Sequence, residues 1–115
     1  KYGTCQPNYH YEDCLRLYEH YQKKDLKNPA AIVDANQPNS NKKYKEQLRI
    51  VSEVLHTRRY NPDLKNMIKG VMVESYLEEG RQNIGPDMVY GKSITDPCIG
   101  WEDTEHLIYK IAEEC

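Results

Sequence analysis

Two carboxylates at the edges of apolar segments are the side chains best placed to do chemistry in this chain. Glu74 follows the apolar run 68–73, and Asp96 sits in a Thr-Asp-Pro turn one loop later, just ahead of a helix start. In an α/β sheet, strand ends are rigid and the loops after them gather on one face, so acids at these positions can meet. Each also has an ordinary reading. Glu74 could be a solvated edge residue, and Asp before Pro often only initiates a turn. Asp34, which ends an earlier apolar run, is either a partner that orients other polar groups or a helix-side hydrogen-bond acceptor.

The surrounding pattern supplies the elements that must hold these acids. Residues 11–24 carry Cys14, Leu17, Tyr18 and Tyr21 at helical spacing. After Asn28-Pro29, residues 30–34 form a short apolar run, the mark of a strand buried on both faces. Residues 36–41 are turn formers, and Ser40 is placed to cap a helix bearing Tyr44, Leu48, Val51 and Leu55 that ends near Arg58-Arg59. Asn61-Pro62-Asp63 breaks the chain before the second strand, 68–73. Residues 78–95 hold Gly80, Gly85, Pro86 and Gly91 without sustained periodicity and read as a long loop, and residues 101–114 close as a helix with Thr104, Leu107, Ile108 and Ile111 on one stripe. Residues 1–9 read as a loop. Helix and strand alternate, which predicts a parallel α/β sheet with helices outside.

Composition narrows the function. Sixteen basic and eighteen acidic side chains leave a net charge of −2, so no global field draws in nucleic acid or an anionic membrane. There is neither a membrane-length apolar run nor a signal-like N-terminus. The mean hydropathy of −0.91 allows only a thin core. Cys5, Cys14, Cys98 and Cys115 are scattered with no Cys-x-x-Cys pair, which predicts reduced thiols in a cytoplasmic protein. Tyr9, Tyr11, Tyr18 and Tyr21 suggest an aromatic contact surface or rings lying over a helix face. The four histidines show no metal-ligand spacing.

Three blocks, in order, carry a family resemblance. They are Ile32-Val-Asp-Ala-Asn-Gln-Pro-Asn-Ser-Asn-Lys42, Gly70-Val-Met-Val-Glu-Ser75 extended by Glu78-Glu-Gly-Arg-Gln-Asn83, and Tyr90-Gly-Lys-Ser-Ile-Thr-Asp-Pro-Cys-Ile-Gly-Trp-Glu-Asp103. A weaker match lies at Pro7-Asn8-Tyr9. Together they resemble the C-terminal portion of the 3-deoxy-D-arabino-heptulosonate 7-phosphate (DAHP) synthase family. The resemblance implies a fragment of a (β/α)8 TIM barrel, a fold of roughly 250 residues. Residues 1–115 would then be the C-terminal part of a single barrel domain, and a start at Lys1 rather than Met agrees with that.

The resemblance implies a synthase that condenses phosphoenolpyruvate with erythrose 4-phosphate, opening the shikimate pathway to aromatic amino acids. Its divalent metal, of the Mn, Fe, Co or Zn class, is held by a Cys, a His, a Glu and an Asp. Glu74 and Asp96 match the two acids. Gln37, followed by Pro38, stands where the family has its His, and a neutral amide oxygen is a weaker ligand than imidazole for transition metals. The family Cys has no counterpart on this chain. Asp34 and Cys98 are the remaining candidates for the catalytic pocket, Cys98 alternatively as an inert buried thiol; Lys92 and Arg81 are candidate phosphate donors, or else solvated loop charges. The expected partners are the rest of the barrel, the two phosphorylated substrates and further copies in a homo-oligomer, with no nucleic acid or membrane. Taken alone, the chain is expected to bind metal weakly and to be inactive. A second reading is a degenerate, non-catalytic module for binding or assembly, and a third is a self-standing domain of three helices and two strands.

Overall fold

A computed structural model describes residues 6–115; Cys5 and the first part of the loop expected over residues 1–9 lie outside the described residues. The element order is α1 (Tyr11–Gln22), β1 (Ala31–Asp34), α2 (Glu46–Tyr60), α3 (Pro62–Met67), β2 (Ile68–Met72), β3 (Glu78–Arg81), β4 (Lys92–Ser93) and α4 (Trp101–Glu114). Strands β1 and β2 are parallel neighbours, with Val33 opposite Val71 and Asp34 opposite Met72. This is the mixed α/β alternation expected, but among the described residues β1 and β2 form a two-stranded sheet and no barrel closes.

Helix α2 is the centre of the packing. Its Ile50, Val51 and Leu55 join Tyr9, Ala35, Ile99 and Leu107 in one buried cluster, while Val54 joins Cys14, Leu64, Met67 and Ile68 in a second. Val33 and Val71 pack against both clusters. Side chains alternate along a strand, so Ile32 and Met72 point the other way. Ile32 is 69% exposed and Met72 40%. A parallel sheet is normally covered on both faces, and only one face is covered here.

Four local readings change. Helix α2 begins at Glu46, because the Ser40 hydroxyl bonds to Asn36 Oδ1 at 2.6 Å instead of capping a helix, and the positive φ of Asn41 (54°) and Lys42 (60°) cannot continue a right-handed turn. The break at Asn61 is also a beginning. Asn61 Oδ1 accepts from the N–H groups of Asp63 and Leu64, and Pro62 occupies the first helical position of α3. Residues 78–95 are not structureless, since β3 and β4 pair across that loop. Gly91 makes the pairing possible: its φ is +79°, and a Cβ there would fall 2.9 Å from Leu77 Cβ. On α4, Leu107 and Ile111 pack inward, but Ile108 is exposed.

Tyr9 lies in the core with its hydroxyl accepting from Arg49 at 2.8 Å, and Tyr11, Tyr18 and Tyr21 pack against the second cluster, so these rings pack against the protein's own core. Cys14, Cys98 and Cys115 are free thiols. Among the described residues no helix is long and apolar enough to cross a membrane.

Burial has a chemical consequence for two of these thiols. Desolvation, reinforced by Asp13 and Glu53, pushes Cys14 up to about 11, and desolvation likewise raises Cys98. A raised pKa keeps the thiol neutral below that value, and the thiolate is the nucleophile. At pH 8 Cys14 and Cys98 should therefore resist iodoacetamide, becoming reactive only as pH rises or the protein unfolds. Mass-spectrometric mapping of labelled cysteines in native and denatured protein checks this.

Candidate active site

Backbone pairing beyond the ends of β1 and β2 builds the site. The Ile99 N–H donates to the Glu74 carbonyl at 3.1 Å, the Tyr76 N–H to the Ile99 carbonyl at 2.9 Å, and Gly80 and Cys98 exchange hydrogen bonds at 2.8 and 3.2 Å. These contacts lay residues 98–99 alongside 74–80 and bring Asp96 back to Glu74. The side chain of Gln47, fully buried in α2, fixes Glu74 from the other direction. Its oxygen accepts the Glu74 N–H at 2.7 Å and its amide donates to the Glu74 carbonyl at 3.0 Å.

The two carboxylates converge on one atom. Gln37 Nε2 donates to Glu74 Oε1 at 3.1 Å and to Asp96 Oδ2 at 2.9 Å. Asn36 Nδ2 adds a second donor to Glu74 Oε1 at 3.1 Å. Turning the Gln37 amide over would set its oxygen against two carboxylate oxygens, so electrostatics fixes the nitrogen toward the acids. The loop that presents Gln37 is itself braced. Asn36 and Ser40 are buried and bonded to each other, and Asn39 donates to the Asp34 carbonyl at 2.7 Å while accepting from the Asn8 N–H at 2.7 Å. Gln37 sits at φ +53°, an unfavourable backbone for a non-glycine residue that this bracing sustains.

The other expected site residues lie around this centre. Asp34 accepts the Asn36 N–H at 2.8 Å, and Asn36 in turn reaches Glu74, so Asp34 connects to the acid pair through Asn36. Cys98 is buried with its thiol 3.3 Å from the Asp96 carbonyl. Arg81 spends its guanidinium on the Thr95 carbonyl and Asn83 Oδ1, tying β3 to the loop that carries Asp96. Lys92 lies half-buried in β4. Sequence reading missed Gln47 and Asn36. A glutamine three residues after Tyr44 on the apolar stripe of α2 was the available signal for the first, and an unbroken polar run directly after a strand end was the signal for the second.

As a donor set, two convergent carboxylates suit a hard divalent cation. Among the described residues no group of three His, Cys, Asp or Glu side chains is placed to hold a metal ion. The pair therefore fits part of a metal site, and further donors are needed to complete it.

The segment is mixed α/β with short parallel strands, and its two convergent acids lie in the loops that follow them. The chain matches the DAHP synthetase I family model over residues 1–108, and it belongs to that family. It is 38% identical over 112 residues to the Trp-sensitive phospho-2-dehydro-3-deoxyheptonate aldolase of Escherichia coli strain K12, covering 96% of this chain and 31% of that protein. Against the Haemophilus influenzae phospho-2-dehydro-3-deoxyheptonate aldolase it is 39% identical over 113 residues, covering 96% of this chain and 30% of that one. The structure of the Francisella tularensis phospho-2-dehydro-3-deoxyheptonate aldolase superposes with a TM-score of 0.85 at 29% identity, over 95% of this chain and 31% of that one. The chain thus spans about a third of the length of the relatives it matches.

Proposed function

We propose that the chain is the C-terminal part of a TIM-barrel DAHP synthase that condenses phosphoenolpyruvate with erythrose 4-phosphate in the cytoplasm. The observation that carries this is the convergence of Glu74 and Asp96 on one point, at 3.1 and 2.9 Å from the same nitrogen. Glu74 and Asp96 would hold a divalent cation, with remaining ligands from the rest of the barrel. Such a cation supplies Lewis acidity that polarises the aldehyde carbonyl toward attack by the enol carbon. The residues of this chain do the positioning. Gln47 locks the Glu74 backbone, Asn36 aims its carboxylate, and Asp34 holds Asn36. The exposed sheet face at Ile32 and Met72 is the surface that the missing staves would cover.

The test is an assay of the complete protein with Mn²⁺, following phosphoenolpyruvate consumption and phosphate release that depend on erythrose 4-phosphate. Turnover of about 1 s⁻¹ or faster is expected. A second reading, a non-catalytic binding or assembly module, draws on the Gln37 amide lying between the two acids. No turnover with any of Mn²⁺, Fe²⁺, Co²⁺ or Zn²⁺ would favour it and defeat the first.

A further inference from the structure

We infer that Gln37 is a latch on the acid pair: its amide N–H groups occupy the point that a divalent cation must take, so cation and amide compete for the same oxygens. The inference rests on the reading of Glu74 and Asp96 as cation-holding residues. Three observations carry it. The amide nitrogen is shared by Glu74 Oε1 and Asp96 Oδ2, the two oxygens nearest a common point. An N–H donor is a weak positive charge and cannot act as a ligand, so in this arrangement Gln37 satisfies the carboxylates in place of a cation. Its backbone is pinned at φ +53° between a braced loop and Pro38, which directs the side chain inward.

The latch has two effects. It bridges two like charges with hydrogen bonds that offset part of their repulsion, keeping the pair convergent. It also means that binding a cation first requires the loss of two charge-assisted hydrogen bonds, each strong enough to matter. Loading is therefore weakened, and the weakening is removed by deleting the amide. If Gln37 instead acted as a ligand through Oε1, deleting the amide would weaken binding. The two roles predict opposite signs.

The experiment is titration of Mn²⁺ into the complete protein, read by the electron paramagnetic resonance of free Mn²⁺, for the wild type, Gln37→Ala and Gln37→His. The latch predicts that Gln37→Ala binds Mn²⁺ about tenfold more tightly than the wild type or better. Gln37→His, whose neutral ring offers one unprotonated nitrogen as a ligand, should tighten it further. Thermal unfolding in chelator should show Gln37→Ala folded but melting lower than the wild type, with Mn²⁺ raising its midpoint by more than it raises the wild type's. Weaker Mn²⁺ binding by Gln37→Ala overturns the latch while leaving Glu74 and Asp96 as cation holders. Absence of Mn²⁺ binding in all three proteins overturns the latch and the cation-holding role together. Should Gln37→Ala not fold, the sign is read from Gln37→Leu, whose side chain fills similar space without the amide.

Discussion

In the complete protein, Glu74→Gln should lower kcat about a thousandfold or more while leaving the fold in place. The substitution keeps the size and planarity of the side chain and removes its charge. An amide oxygen at that position can still accept from Asn36 Nδ2 or Gln37 Nε2, so the loop 36–40 keeps its partner. What goes is the anion that, in the function proposed above, would draw a divalent cation to the site together with Asp96. Lewis-acid stabilisation is worth several kcal/mol, and each 1.36 kcal/mol is about a factor of ten in rate. The cost to folding is smaller, about 1–2 kcal/mol, since two hydrogen bonds to a charged acceptor become bonds to a neutral one. Steady-state kinetics, Mn²⁺ titration and denaturant unfolding measured together separate these effects. Turnover within about tenfold of wild type would show that the acid pair is not where the reaction occurs.

The chain states its main elements through periodicity, and its site through the positions of its acids. Helices α1, α2 and α4 were legible because each carries an apolar stripe at helical spacing, and strands β1 and β2 because each is a short apolar run bounded by turn formers. Elements β3 and β4 were not legible. They have four and two residues and take their order from pairing with each other across a loop, which a local pattern cannot express. The start of α2 was misplaced because Ser40 has the right side chain for a cap, but a buried asparagine four residues earlier competes for its hydroxyl. Such competition depends on what the fold brings near. The same holds in the site. Glu74 and Asp96 could be named from their places at a strand end and in a turn, and Gln37 from its place in the resemblance. That Gln37 donates to both acids depends on where its backbone points, and the left-handed φ that sets this is rare for glutamine.

The geometry also ranks the supports of the site. Asp34, Asn36, Asn39 and Ser40 share one hydrogen-bonded loop, so any one of them has neighbours that can partly replace it. Gln47 stands apart from that loop, on a different element, and serves the Glu74 backbone directly.

Gln47→Leu should therefore cost about 2–3 kcal/mol of stability, and the loss should reach catalysis as well. The glutamine is fully buried and bonded to both backbone groups of Glu74. The Glu74 carbonyl keeps the Ile99 N–H as a partner, but among the described residues the Glu74 N–H has only Gln47 Oε1. Leucine fills similar space and leaves that part-buried donor without its protein partner, which costs about 1–3 kcal/mol beyond the lost bond from the amide. With its clamp gone, the strand end can tilt, and a carboxylate displaced by about 1 Å loses up to about a hundredfold in rate. The control is Gln47→Glu. At neutral pH it buries a charge, so it should be at least as damaging as leucine. Burial raises the pKa of the introduced carboxyl, so the neutral form is favoured as pH falls. Once protonated it can accept from the Glu74 N–H and donate to the Glu74 carbonyl, as the amide does. Its stability deficit relative to wild type should shrink as pH drops below the raised pKa, while the deficit of Gln47→Leu should stay flat over the same range. Denaturant unfolding at a series of pH values distinguishes the two curves. Parallel pH dependence for both variants would mean that shape alone, and not the paired hydrogen bonds to Glu74, is what Gln47 contributes.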